Sequence, residues 1–267
     1  MAMDYPMRQQ PGPQSGGPQW MVAPPAIPGC PPGLEYLTQI DQVLVKQKVE
    51  LWEAFTGWET KNKFALMNSM GQPVYKVKED TGCCMRMCCG KARGFRYRIY
   101  DNMDNEVMNV VRDFKCCAGC SWCACSDCCA FVVQVEAPPG NVIGYTRQQQ
   151  SCWKIMLEVE DAEAKPIFDI RGPCCPCGCA DVKFPLFAKD GSQELGLITK
   201  QWTGLAKEMF TDADCFGITF PMDLDVKMKA TLVGAMLLID IMAFERQNDS
   251  PASDGASCLI DIIDCFT

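Results

Sequence analysis

Cysteine is the residue type in this sequence that could do the most chemistry: it occurs twenty times, whereas histidine does not occur at all. The absence of histidine excludes Ser/His and Cys/His nucleophilic pairs and His-ligated metal sites. Most of the cysteines fall in three runs, at residues 83–89, 116–129 and 174–179. Because the N-terminus carries no recognisable secretory segment, we expect these thiols to be reduced, lipidated or metal-bound rather than disulfide-bonded.

The cysteine run at 116–129 has three interpretations. Two thiolates three positions apart, as at Cys117/Cys120 and Cys125/Cys128, can reach one tetrahedral zinc ion, although the overlapping registers make poor use of the ligands. Dense, accessible thiols near a membrane suit thioester lipidation, in which each buried methylene contributes about 0.8 kcal/mol to anchoring. The third interpretation is that these residues are small apolar side chains without chemical function.

A second candidate site is the acidic stretch "DADCFGITFPMD" at residues 212–223, in which the potential ligand residues are spaced as in a calcium-binding loop. The glycine that an EF-hand loop requires is Gly217. The ligand positions with carboxylates are Asp212, Asp214 and Asp223, and those with only backbone carbonyls are Phe216, Ile218 and Phe220. So few charges predict weak binding, roughly 10⁻⁴ to 10⁻³ M. A strand preceded by an acidic turn fits the same residues.

The apolar stretch that follows predicts one long helix, at residues 226–245. A helix that spans a bilayer needs about 20 residues, and this one approaches that length only by including Lys227 and Lys229. Asp240 would cost about 2.5–3.5 kcal/mol at the centre of a membrane. Two arrangements therefore remain open: the helix spans the bilayer with the lysines on the cytoplasmic side, or it fills a barrel in which Asp240 finds a partner.

About a dozen short segments with period-2 alternation precede this helix, beginning near residue 34 and separated by Gly, Asp, Asn and Pro. Very little helical periodicity lies between them. Many short strands in this pattern predict a mainly β protein, built as an antiparallel barrel or sandwich. These strands must position both candidate sites.

The flanks of the strand-rich region differ in composition. Residues 1–33 are rich in Pro, Gly and Gln, which predicts a disordered tail, and the spacings Pro25/Pro28 and Pro28/Pro31 suit an SH3-type groove. Residues 34–246 form the predicted domain, and residues 247–267 form a loosely held C-terminal tail. The net charge of −8 argues against nucleic acid as a partner.

Taken together, the motifs of this chain resemble those of the phospholipid scramblase family. The similarity runs from residue 31 to about residue 245. The motifs that carry it are, in order, "PPGLEYL", "DTGCC", "YDNM", "EAPPG", "IGY", "QWTG", "FTDADCFGITFP" and "DLDVKMKA". The resemblance implies a Tubby-like closed barrel of about twelve antiparallel strands around one hydrophobic C-terminal helix.

The functional implication of this resemblance is calcium-activated, ATP-independent movement of phospholipids in both directions across the plasma membrane. It implies a lipid translocator rather than an enzyme that makes or breaks bonds, with the bulk of the chain cytoplasmic. The implied cofactors are Ca²⁺ and covalent palmitate, and the implied partner is the phospholipid bilayer, with homo-oligomerisation left open. The competing hypothesis is a palmitoylated adaptor or signalling protein that uses its Pro-rich tail and does not scramble lipids.

The family's sites transfer onto particular residues of this chain. The implied calcium ligands are the six positions of the acidic stretch given above. The implied lipidation block falls on residues 124–129, where other residues interrupt the cysteines. The implied lipidation residues are Cys125, Cys128 and Cys129, with Cys120 and Cys123 as substitutes. The basic import stretch of some members is reduced here to Lys200 in "GLITKQWTG", so nuclear import is not expected.

Overall fold

The structure is a computed structural model that describes residues 19–46, 63–81, 92–115, 117, 119–174, 182–191, 193–200 and 215–244. Several predicted features lie outside these residues. They are Asp212 and Asp214, the cysteines at 83–89 and 175–179, and the C-terminal tail 247–267.

Twelve strands, β1 to β12, form the wall of the described domain. Their bounds are Gln42–Lys46, Lys63–Met67, Pro73–Glu79, Phe95–Tyr100, Glu106–Arg112, Val132–Glu136, Val142–Gln148, Lys154–Asp161, Pro166–Cys174, Val182–Ala188, Glu194–Lys200 and Cys215–Thr219. Each strand pairs antiparallel with its neighbours in sequence, and β1 pairs with both β2 and β12. The predicted closed barrel of twelve antiparallel strands is therefore confirmed.

The connections of this barrel alternate between its two ends, because consecutive antiparallel strands run in opposite directions. One end, here called the hairpin end, carries the short connections 68–72, 101–105, 137–141, 162–165 and 189–193. The other end, here called the cysteine end, carries the connections 113–131 and 149–153. All described cysteine side chains except Cys30 lie in these two connections.

The α-helix of the described residues, α1 (Val226–Ile239), lies inside the barrel and continues as a π-helix (Asp240–Phe244). Every residue of α1 from Met228 to Ile239 is buried. The helix begins at the hairpin end, and Phe244 reaches the cysteine end, where its ring lies 5.3 Å from the ring of Phe216. Of the two arrangements left open by the sequence, the structure contains the one in which the barrel encloses the helix.

None of the helices in the described part of the chain combines the length and the apolar character needed to cross a bilayer.

Small residues let α1 lie close to the barrel wall. A Cβ atom on Gly234 would lie 2.5 Å from Cγ2 of Val135 in β6, and one on Gly144 in β7 would lie 2.5 Å from Oγ1 of Thr231. Both distances are well below van der Waals contact. The glycines therefore set the separation between the helix and these two strands.

The start of α1 is fixed by side chains that hydrogen-bond to backbone groups. The Asp225 carboxylate caps the helix by accepting hydrogen bonds from the amides of Lys227 (2.9 Å) and Met228 (3.3 Å). Lys227 is exposed, but Lys229 is fully buried. In the membrane-spanning arrangement both lysines would lie on the cytoplasmic side, whereas in the structure only Lys227 is exposed.

The Lys229 ammonium finds its partners among backbone carbonyls at the hairpin end. Its Nζ donates to Leu37, Ile40 and Met222, at 3.0, 2.9 and 2.7 Å. Leu37 belongs to a 3₁₀ helix (Glu35–Gln39). Burial lowers the pKa of Lys229, and Asp41 and Asp223 oppose that shift. The ammonium thus links the chain before β1 to the turn before α1.

Part of the predicted N-terminal tail packs on the barrel. The amide of Met21 donates to the carbonyl of Pro73 (3.0 Å), and the Tyr75 hydroxyl donates to the carbonyl of Gly33 (2.7 Å). The packed chain therefore starts by residue 21, ahead of the expected boundary at 34. The sequence pattern misses this segment because it packs in an irregular conformation without periodicity.

Candidate functional site

The connection between β5 and β6 folds into a compact turn that presents several thiols, here called the cysteine turn (residues 119–131). Its backbone closes on itself through hydrogen bonds from Ser126 to Cys123 (2.9 Å) and from Ala130 to Ser126 (3.0 Å). The Lys115 ammonium donates to the carbonyls of Asp127 and Ala130, which ties the turn to the end of β5. A long connection is thereby held in one conformation.

The predicted lipidation residues differ in exposure within this turn. Cys123, Cys125 and Cys128 are exposed, whereas Cys120 and Cys129 are half-buried. Acyl transfer needs an accessible thiol, so the three exposed residues have the better geometry. Among the described residues, no three His, Cys, Asp or Glu side chains come together as a metal site.

Hydrogen bonds among the thiols make their acidities unequal. The Ser126 hydroxyl lies 3.1 Å from the Cys128 sulfur, and this contact lowers the pKa of Cys128, helped by Cys129. The bond to Cys128 raises the pKa of Cys129 to about 11. The pKa of Cys123 is raised, chiefly by its hydrogen bond with Cys120. Because the thiolate is the nucleophile, we expect Cys128 to be the most reactive of these three thiols.

Two exposed tryptophans stand beside the thiols at the cysteine end. The rings of Trp122 and Trp153 meet edge to face at 6.1 Å, with 45% and 49% of the residues exposed. The backbone of Trp122 accepts a hydrogen bond from the Gln150 amide (2.9 Å), which joins the cysteine turn to the β7–β8 connection. Exposed tryptophan is typical of the membrane–water interface, because the ring is apolar and its N–H is polar.

Sequence reasoning missed this tryptophan pair and the exposed thiol of Cys152 beside it. A signal was present, since each tryptophan directly adjoins a cysteine, in "SWC" and in "SCW". The sequence could not show that connections 28 residues apart, at Trp122 and Gln150, meet in space.

The predicted calcium residues are divided by a strand. Phe216 and Ile218 lie in β12, with buried side chains and with β1 and β11 paired on either side. Asp223 is exposed at the hairpin end, beyond β12, and Phe220 donates its amide to the Asp41 carbonyl (2.9 Å). The alternative prediction of a strand over these residues therefore fits their backbone, because ladder pairing occupies the carbonyls of β12.

The other charged residue predicted on the helix is Asp240, which is half-buried. It follows α1 directly, and its backbone amide donates to the carbonyls of Leu237 and Met236. At the same end of the barrel the Lys200 ammonium lies 4.8 Å from the ring centre of Phe244.

Comparison with known proteins gives a consistent result across most of the chain. The family model described as Scramblase matches residues 21–246. Phospholipid scramblase 1 of Rattus norvegicus is 46% identical over 258 residues, covering 94% of this chain and 75% of that protein. Phospholipid scramblase 2 of Bos taurus is 47% identical over 227 residues, covering 85% and 76%.

Among solved structures, an X-ray structure of a protein from Arabidopsis thaliana matches with a TM-score of 0.43 and 10% identity, covering 78% of this chain and 96% of that one. The family assignment rests on the sequence matches. Their extent, and their agreement with the start of the packed chain at residue 21, show that this chain belongs to the Scramblase family.

Proposed function

We propose that this chain moves phospholipids in both directions between the leaflets of the plasma membrane, without ATP and in response to calcium. The observation that carries the proposal is the identity of 46% over 94% of the chain with a protein named phospholipid scramblase 1. Such a protein is a lipid translocator, because it changes the position of a lipid and breaks none of its bonds.

Attachment to the membrane would use the cysteine end. Palmitate on the exposed thiols of Cys125 and Cys128 would enter the bilayer beside Trp122 and Trp153. One acyl chain holds a protein only marginally, and a second signal makes attachment stable. The tryptophan pair would supply that second signal even when a single thiol is modified.

Calcium would act at the start of β12. Asp214 is bonded to Cys215, the first residue of that strand, and β12 leads through a short turn into α1. A cation held by Asp212 and Asp214 would therefore change how the strand next to the helix is held. Asp223 would not share that ion, because the five residues of β12 extend roughly 16 Å in a strand.

Reconstitution in liposomes with a fluorescent phospholipid tests this function. The wild-type chain should accelerate lipid exchange when calcium is added, and Asp212→Ala should reduce the calcium response. The matched control is Asp223→Ala, which also removes an aspartate carboxylate, but at the far end of β12. Its lipid exchange should respond to calcium like that of the wild type. Exchange that is equally slow with and without calcium, and equal in the wild type and Asp212→Ala, would refute the proposal.

The alternative function is a lipidated adaptor, and the enclosure of α1 in the barrel favours it, because the helix then offers lipids no polar path of its own. The exposed prolines Pro25 and Pro28 have the P-x-x-P spacing, whereas Pro31 of the second spacing is buried. Pro25→Ala/Pro28→Ala should abolish capture by an SH3 domain and leave lipid exchange unchanged. Undiminished SH3 capture by this variant would rule out the adaptor mechanism.

A further inference from the structure

The outer wall of the barrel carries a groove of about 450 Å³ over β4 to β7, next to the cysteine turn. This volume lies in the range of roughly 300–1,000 Å³ that is usual for small-molecule sites. The lining includes none of the predicted calcium or lipidation residues. The polar residues of the lining are Arg96, Asp113, Lys115, Asp127, Gln134, Glu136, Tyr145 and Arg147.

The register of the sheet builds the floor of this groove. Arg96 is opposite Val111, Val111 is opposite Gln134, and Gln134 is opposite Tyr145. Cross-strand partners share one face of a sheet, so these four residues form a continuous row on the outside of the barrel. A row that crosses four strands is fixed by the ladder and does not depend on loop conformation.

Cations line the side of the groove nearest the cysteine end. Arg147 pairs with Asp127 at 2.6 Å and reaches Glu160 at 3.5 Å. The Asp127 side chain is 89% exposed on the cysteine turn, so an incoming anion can displace it from Arg147. Arg96 is exposed and makes no ion pair with another residue that the structure describes. Arginines placed in this way bind phosphate through paired N–H groups.

Acceptors lie toward the hairpin end of the same groove. The Glu136 carboxylate is held by the amide of Gly140 (3.0 Å) and by the side chain of Gln134 (2.8 Å), which fixes its position.

The charges of the lining balance. At the cysteine end the three cations Arg96, Lys115 and Arg147 outnumber the two carboxylates Asp113 and Asp127 by one. At the hairpin end Glu136 carries a single negative charge. A groove with a net positive charge at one end and a carboxylate at the other fits a zwitterion better than a simple anion. Tyr145, which is opposite Gln134 in the neighbouring strand, adds an aromatic ring that would attract the cationic part of such a ligand.

We propose that this groove binds the phosphoethanolamine-type headgroup of a membrane phospholipid, with its phosphate against Arg96 and Arg147 and its primary ammonium against Glu136 and Tyr145. This inference rests on the proposed function and names the lipid class that the chain engages. The cysteine turn forms one rim of the groove, so acyl chains on that turn would hold the groove at the level of the lipid headgroups.

Calorimetric titration of the full chain tests the proposal with soluble probes. Glycerophosphoethanolamine should bind saturably, and inorganic phosphate and glycerophosphocholine should bind at least about tenfold more weakly. Arg96→Gln should weaken glycerophosphoethanolamine binding by about tenfold, the loss of one charge-assisted contact. Lys183→Gln removes an exposed cation from β10, outside the groove, and should bind like the wild type.

Three results would overturn the inference: inorganic phosphate binding as tightly as glycerophosphoethanolamine, Arg96→Gln binding like the wild type, or Lys183→Gln losing as much as Arg96→Gln. The titration needs no bilayer, so it separates the two proposals. A chain that moves lipids but does not bind the headgroup probe would refute the groove alone. A chain that binds the probe but never moves lipids would refute the proposed function alone.

Discussion

The Nζ atom of Lys229 donates a hydrogen bond of 3.0 Å to the carbonyl of Leu37, which lies 192 residues earlier in the chain. This contact joins the last helix to the segment that precedes the first strand. Because the lysine is fully buried, it anchors α1 at the hairpin end, while Phe244 packs against Phe184 and Phe216 at the cysteine end. The helix is held at both ends of the barrel.

Lys229→Met should lower the free energy of unfolding by roughly 3 kcal/mol, because three carbonyls lose a charged donor, partly offset by the removal of a desolvated ammonium. Chemical denaturation of the two proteins measures the difference. Lys227→Met changes an exposed lysine two residues earlier and should stay within about 0.5 kcal/mol of the wild type. Equal losses in the two variants would contradict the anchoring role.

The same lysine predicts a pH dependence. Burial lowers its pKa in the folded state below the ordinary value of 10.5, so between these two pKa values the unfolded chain binds more protons. The stability contributed by this group is therefore fully present above pH 10.5 and is lost as the pH falls through the folded-state pKa. The stability of the wild type relative to Lys229→Met should rise from neutral pH toward pH 10.5, as denaturation at several pH values would show. A difference independent of pH would argue against a shifted lysine.

Gly234→Ala should destabilise the protein, although alanine is the better helix former by about 1 kcal/mol. The new methyl group would lie 2.5 Å from Cγ2 of Val135, and overpacking of this kind costs about 1–3 kcal/mol. Thermal unfolding of the single variants and of Gly234→Ala/Val135→Ala forms a double-mutant cycle. The double variant should be more stable than the sum of the single effects predicts, and strict additivity would place the clash elsewhere.

Alkylation should distinguish adjacent cysteines of the turn. Cys128, whose pKa is lowered chiefly by Ser126, should react with iodoacetamide faster than Cys129, whose pKa is about 11. Mass spectrometry of native protein labelled briefly near pH 8 gives the ratio of labelled Cys128 to labelled Cys129. Ser126→Ala should slow the labelling of Cys128. A ratio near one in the wild type would show that the hydrogen bonds do not control reactivity.

Trp122→Ala/Trp153→Ala should weaken binding of the unacylated chain to liposomes by about tenfold, equivalent to roughly 1.4 kcal/mol. Flotation with vesicles of constant composition measures the bound fraction. Met103→Ala removes a side chain of a residue that is 74% exposed at the hairpin end, and it should leave binding unchanged. Equal loss in both variants would mean that the cysteine end is not the membrane-facing end.

Some structural elements of this protein could be predicted from the sequence and others could not. Eleven of the twelve strands were predictable, because alternation such as that of Phe95, Tyr97 and Ile99 with Arg96 records which face of a strand is buried. The exception is β2, in which Ala65, Leu66 and Met67 are buried in succession and leave no alternation to recognise. The packed segment 19–33 was not, because its contacts with Pro73 and Tyr75 follow no period. Lys229 and Lys227 look alike in sequence, and only the position of the helix inside the barrel separates them.

The sequence by itself determined the strand pattern, the apolar helix, the cysteine runs and the family, because these depend on residue type and spacing along the chain. The tertiary structure alone decided that α1 lies inside the barrel, that Trp122 meets Trp153, and that Arg96 shares a groove with Arg147. The physical reason is that strand pairing and barrel closure bring together residues that are distant in sequence, and no local pattern records those contacts.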